Sequence, residues 1–335
     1  VIFKVKQLRF DVNKITNYLQ TDTQKVVLIG IIVAIMLLLS FMSPHFLSVR
    51  NFTNVFLKVA VIVIIASAAN LLMITGNFDL SVGSVLAFSG ILHAYMCKHG
   101  VPIELSMGIT CLAAIGWGCI NALTVSVIGI NPVIATVGTL FIARGFAFLI
   151  ARWDGGANIM LGLPMEFVDF GRDLLFGKIP LAIAMMVAAL AIFIFIEKKT
   201  VIGRYSFAIG ANPIAAKLSG IHVVGIVSLL YVIVALFAGL SGILQASRVG
   251  LAAPNVAKGM EFDVIVAIIL GGTSMMGGKG STFGMFLGAL VVGFSANGLI
   301  LLGIPFFYQS IAYGLILIVS LVLNQRIGIE GGTSS

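Results

Sequence analysis

Apolar runs of membrane-crossing length follow one another along almost the whole chain, and this tiling limits the fold more than any single motif. With about 20 apolar residues needed to cross a bilayer, candidate spans fall at residues 26–42, 55–75, 78–97, 105–130, 132–150, 180–196, 223–247, 262–276, 282–302 and 306–323. Only 10% of the 335 residues are charged and 60% are hydrophobic, whereas soluble domains carry about 25% charged residues. The expected fold is an all-α membrane protein of about ten transmembrane helices. It comprises a cytoplasmic N-terminal segment (1–25), one transmembrane domain (26–325) with a cytoplasmic loop at 197–222, and a C-terminal tail (326–335). No stretch is long and polar enough for a folded soluble domain, so any catalytic engine has to sit on another polypeptide.

The net charge of +8 raises the question of nucleic acid, and its distribution answers it. With the N-terminus inside, ten spans put eleven basic residues against four acidic ones on the cytoplasmic side, and seven against six outside. This is the positive-inside pattern of a multi-pass protein of the cytoplasmic (inner) membrane, with both termini in the cytoplasm. It accounts for the basic balance through lipid and needs no nucleic acid. Cys97, Cys111 and Cys119 have no framework spacing, neither a CxxC nor a HExxH accompanies Cys97 and His99, and no metal or other cofactor is expected.

The two halves resemble each other. "NFDLSVGSVLAFSG" from Asn77 aligns with "EFDVIVAIILGGTS" from Glu261, pairing Asp79 with Asp263; further on, Asn121 aligns with Asn297, and each is followed by a Gly-Ile turn with a Pro. With five spans per half, an odd number, the second half enters the membrane inverted. Two inverted repeats of about five spans are a transporter arrangement, and paired short or glycine-interrupted spans point to its path. Residues 75–77 and Gly271-Gly272 mark such broken or re-entrant segments. The stretch "GGTSMMGGKGS" is not a Walker A loop: Thr273 stands where the first Gly is needed, and the hydroxyl after Lys279 arrives one residue late at Ser281. Its glycines instead suit a tight turn at membrane depth.

Polar residues inside spans are costly and are functional candidates by default. Asn70, Asp79, Ser81, Asn121, Asn131, Asp263 and Asn297 are the candidates for a substrate path. For Asp79 the competing role is to cap the helix that follows, and for the amides it is to bridge helices. Arg144 is expected to snorkel towards an interface. No nucleophile with a nearby base, and no pair of carboxylates flanking a cleft, is visible, so the chain is not expected to be an enzyme. The small residues of "GMFLGALVVG" serve close helix packing.

Residues 203–223, "GRYSFAIGANPIAAKLSGIHV", form the one sizeable loop expected inside the cell. Asn212 suits an N-cap, Pro213 the first helical position and Gly220 the stop. The resulting two-turn helix is too short to be stable alone and makes sense as a docking element. Here the sequence becomes specific. "AIGANPIAAKLSGI", "GMEFDVIVAIILGGTSMMGGKGSTFGMFLGALVVGF", "NFDLSVGS" and "INPVIATVGTLFIARGFAFLI" resemble the ribose- and arabinose-type sugar ABC importer permeases over most of the chain.

That resemblance implies a permease subunit that carries a monosaccharide inwards by alternating access. It further implies pairing with a second permease chain as a homodimer, a cytoplasmic ABC ATPase, and a periplasmic or lipoprotein sugar-binding protein. Gly210, Asn212, Pro213, Ala215, Ala216, Lys217, Leu218, Ser219 and Gly220 would form the ATPase coupling segment. The outer loop 152–178 is the expected place for the binding protein. The rival reading is a secondary transporter coupled to protons or sodium, which also uses inverted repeats.

Overall fold

The computed structural model describes residues 24–155 and 158–304, with Tyr308, Ile311 and Gly314. The candidate span at 306–323, the tail at 326–335 and all but Gln24 and Lys25 of the N-terminal segment lie outside the described residues. The described chain is helical, apart from one two-residue hairpin pairing Leu174–Leu175 (β1) with Ile179–Pro180 (β2) and an isolated bridge between Met160 and Ala252.

Among the described residues, seven helices are long and apolar enough to cross a membrane: α1 (Gln24–Met42), α2 (Val49–Ile74), α4 (Ile103–Asn121, prolonged by a π-helical turn over Ala122–Val127), α5 (Pro132–Trp153), α7 (Leu181–Lys199), α10 (Val223–Val249) and α12 (Thr282–Leu301). Between them lie α3 (Val82–Lys98) and four shorter helices, α6 (Met165–Arg172), α8 (Val201–Ala211), α9 (Pro213–Leu218) and α11 (Met260–Leu270). Two of the expected spans therefore shorten: the one at 78–97 starts as helix only at Val82, and the one at 262–276 yields an eleven-residue helix.

The sequence explains the layering. From Val59 to Ile74, α2 is apolar on every side apart from Ser67 and Asn70 and is buried throughout, as expected of a helical stretch with no polar face. It is the axis of the bundle, in contact with α7, α10, α11 and α12. The outer helices bury one face only and turn Leu37, Phe41, Leu112, Phe141, Val187 and Phe195 outward, the surface a lipid environment accepts. Glycine sets the closest helix approach. A methyl on Gly242 of α10 would stand 2.1 Å from the Leu86 carbonyl of α3, so any larger residue there would force the two helices apart.

α3 and α11 depart from the pattern in a related way. Added to Gly83, a methyl would lie 2.4 Å from Glu261 Oε2 and 2.6 Å from the Ala257 carbonyl, so the N-termini of these helices adjoin. From there they diverge. α3 runs beside α10, Leu86 meeting Gly242 and Gly90 meeting Ala246, towards the end that holds α6. α11 runs towards the end that holds α8 and α9, where the turn after it meets Gly210.

Candidate functional site

Contacts along α12 fix the depth of this meeting point. Ala267 abuts Gly288, Val59 abuts Gly293, and Asn51 pairs with Asn297. On these spacings Asp263 of α11 stands level with residue 292 and Lys58 of α2 with residues 293–294, at and just past the middle of a 20-residue helix about 30 Å long. Asp263 lies close enough to Lys58 to feel its charge. The non-helical residues 250–259 thus descend to mid-depth, where unpaired backbone groups are not tolerated against lipid.

Arg144 resolves that problem. Its Nη1 donates to the Val256 carbonyl at 2.8 Å and also to the Pro254 carbonyl, while Nε donates to Ser84 Oγ at 3.1 Å. The expectation that it snorkels outward is corrected: the guanidinium points inward, because three acceptors at mid-depth offer a flat five-donor group more than the interface does. Glu261, just ahead of the span expected at 262–276, is buried beside it with Oε1 accepting from the Gly259 N–H at 3.3 Å. Lys258, three residues earlier, is exposed.

Of the candidate path residues, Asp79, Ser81 and Asn121 come together. Asp79 Oδ1 accepts from Ser81 N (2.7 Å) and Ser81 Oγ (2.6 Å), and Oδ2 accepts from Asn121 Nδ2 (3.0 Å), which also donates to Ser81 Oγ at 3.0 Å. All three are buried. The cluster anchors the start of α3, helped by Thr136 Oγ1 accepting from Leu80 N and Tyr231 donating to the Phe78 carbonyl. Asn70 lies elsewhere, fully buried, accepting from Thr273 Oγ1 at 2.6 Å and donating to Thr282 Oγ1 at 3.3 Å. Asn297 exchanges two hydrogen bonds with Asn51, of 2.8 and 3.1 Å. Asn131 is exposed and caps α5 by accepting from Val133 N. Asp263 alone of the mid-depth candidates keeps accessible surface. A cavity between α3, α10 and residues 251–256 measures about 80 Å³, well under the roughly 300–1,000 Å³ of small-molecule sites.

The other cluster lies at the end holding α8 and α9. Asn212 Oδ1 accepts from Ile214 N and Ala215 N, both at 3.0 Å, Pro213 opens α9, and Gly220 follows in the left-handed region at φ 85°. Gly210, Pro213, Ala215, Lys217 and Ser219 lie on or beside this elbow. Within it Ala216 is buried, whereas Ile214 and Leu218 are 72% and 85% exposed and Ala215 and Ser219 are exposed beside them, so the outward face carries two aliphatic side chains among small ones. The glycine-rich turn 271–281 sits behind the elbow. Gly278 N donates to the Ile74 carbonyl at 2.9 Å, and a methyl on Gly277 would fall 2.7 Å from Gly76 N and 2.9 Å from Gly210 Cα. Glu197, at the end of α7, accepts from Thr282 N at 2.5 Å and so caps α12.

A multi-span helical bundle with a half-depth helix pair and a small exposed helix at one end is a membrane permease by architecture. The model of the family described as branched-chain amino acid transport system / permease component matches residues 51–321, and the chain belongs to that family. It is 33% identical to the ribose import permease protein RbsC of Bacillus subtilis (strain 168), covering 93% of this chain and 98% of that one. It is likewise 33% identical to the D-allose transport system permease protein AlsC of Escherichia coli (strain K12), with 90% of each covered. Identity to the L-arabinose ABC transporter permease protein AraH of Azospirillum brasilense is 32%, over 88% of this chain and 87% of that one. The chain is a multi-pass permease component and not itself an enzyme; ATP hydrolysis belongs to a separate subunit.

Proposed function

We propose that this chain is the membrane subunit of an ATP-driven importer that moves a monosaccharide, a pentose, hexose or related polyol, into the cytoplasm. Two copies form the pathway, each with about ten spans in two inverted repeats, and both termini of each lie in the cytoplasm. A cytoplasmic ABC ATPase docks on α9 and a sugar-binding protein delivers solute to the opposite end, near α6 and the β1–β2 hairpin. The observation that carries the reading is α9 itself, a capped two-turn helix that holds Ile214 and Leu218 outward with no described partner. An isolated helix of this length is unstable in water, and exposed aliphatic anchors on a short helix suit a groove on another protein. Ribose, allose and arabinose in the names of the relatives favour a sugar over the amino acids named in the family description.

Reconstitution tests this. In proteoliposomes with the ATPase and binding protein, labelled pentose or hexose should accumulate only with hydrolysable ATP. Uptake that ignores ATP and collapses with an ionophore would establish the ion-coupled alternative.

A further inference from the structure

The α2–α11 face stands apart from the rest of the outer surface. On α1, α4, α5 and α7 the exposed residues at span level are apolar, among them Leu38, Leu112, Phe141 and Val187. Around the start of α11, by contrast, Lys58, Asn54, Asn255 and Lys258 are exposed and Asp263 is half-buried. Lys58 and Asp263 are at the level of the middle of α12, as the contacts above establish. Lys258 and Asn255 flank Val256, whose carbonyl meets Arg144, the thirteenth residue of the 22-residue α5. From the level of residues 292–294 the nearer end of α12 is roughly 11–14 Å away, farther than a lysine side chain reaches, so snorkelling does not bring these ammonium groups to the headgroups. Ionised side chains at this depth face water or protein. Phe262 adds an exposed aromatic ring at the start of α11.

We propose that Lys58, Lys258, Asp263, Asn255 and Phe262 form the wall of the aqueous translocation path. The wall offers ammonium and amide donors, a carboxylate acceptor and one aromatic face. A neutral, hydroxyl-rich solute uses both kinds of group: hydroxyls take the donors and acceptor while its C–H face lies on the ring. The wall belongs to the pathway of the proposed importer and rests on that reading for its solute. Its aqueous character stands on depth and exposure alone.

The test is cysteine accessibility in the complete complex in proteoliposomes, with Cys97, Cys111 and Cys119 changed to Ala. Single variants Lys58→Cys, Lys258→Cys and Asn255→Cys are compared with Leu38→Cys and Leu112→Cys, using a membrane-impermeant charged methanethiosulfonate. The three wall positions should label at least ten-fold faster than the two lipid-facing ones, and saturating D-ribose or L-arabinose should slow them several-fold. Three separate wall positions keep the test decisive if one variant fails to fold. Labelling no faster than at Leu38 and Leu112 overturns the proposal, and rapid labelling that no sugar slows overturns the solute contact. Rapid labelling in a complex that takes up no sugar with ATP overturns the importer reading and leaves the water-filled wall standing.

Discussion

Arg144 shows how one side chain makes a re-entrant segment tenable. Removing it strands the Pro254 and Val256 carbonyls and Ser84 Oγ, and each unsatisfied buried group costs about 1–3 kcal/mol. Arg144→Met is expected to lose at least about 2 kcal/mol on that basis, measured as a lowered Tm of the protein in detergent. Arg144→Lys should recover only part, since an ammonium lacks the planar fork. The Asn51–Asn297 pair supports a cleaner experiment. Either Asn→Leu change alone should cost about 1–2 kcal/mol, Asn297→Leu by stranding Asn51 Oδ1 and Asn51→Leu by stranding Asn297 and the Phe46 carbonyl that Asn51 Nδ2 also serves, and the double change should cost less than the sum, read as the coupling in a double-mutant cycle. At this scale the sequence is least informative. It marks Asp79, Asn70, Asn121 and Asn297 as polar at membrane depth, and Ser81 lies within local reach of Asp79, but the other partners lie 40 to 246 residues away and cannot be read from it.

Elements were more legible where local chemistry decides them. The end of α8, the Asn212 cap, Pro213 and Gly220 are encoded within ten residues, and the structure forms the helix they specify. Losing such a cap costs about 1 kcal/mol. Asn212→Ala should therefore weaken binding of the partner ATPase about five-fold, and Leu218→Asp should weaken it more, both checked by titration of the purified subunits. The outward direction of Ile214 and Leu218 was not legible, because it depends on α9 lying against α8 and α10. The glycine-rich turn gives a matched comparison. Gly220 and Gly277 both have φ near 85°, yet a methyl on Gly220 meets nothing within 4 Å while one on Gly277 strikes Gly76 and Gly210. Both Gly→Ala variants carry left-handed strain of about 1–2 kcal/mol, so the larger fall in Tm at Gly277→Ala measures the backbone contact itself.

For the whole molecule, hydropathy alone was enough to give an all-helical membrane bundle, because lipid leaves so few alternatives. Span lengths were not: the span expected at 262–276 ends as helix at Leu270, at the Gly271-Gly272 break, and residues 250–259, expected outside the membrane, descend towards mid-depth. Lys58 was not among the polar residues singled out within the spans, and its exposure near mid-depth emerges only once α2 and α12 are aligned. The contact among Gly76, Gly210 and Gly277 has a mechanical meaning. Main chain rests there directly on main chain, with no rotatable bond between to take up slack. A shove delivered to α8 from below therefore cannot dissipate in rotamer changes and has to displace the foot of the central helix and the base of α11 together. Three missing side chains give this bundle a stiff linkage from the α8–α9 elbow to the half-helix at its centre.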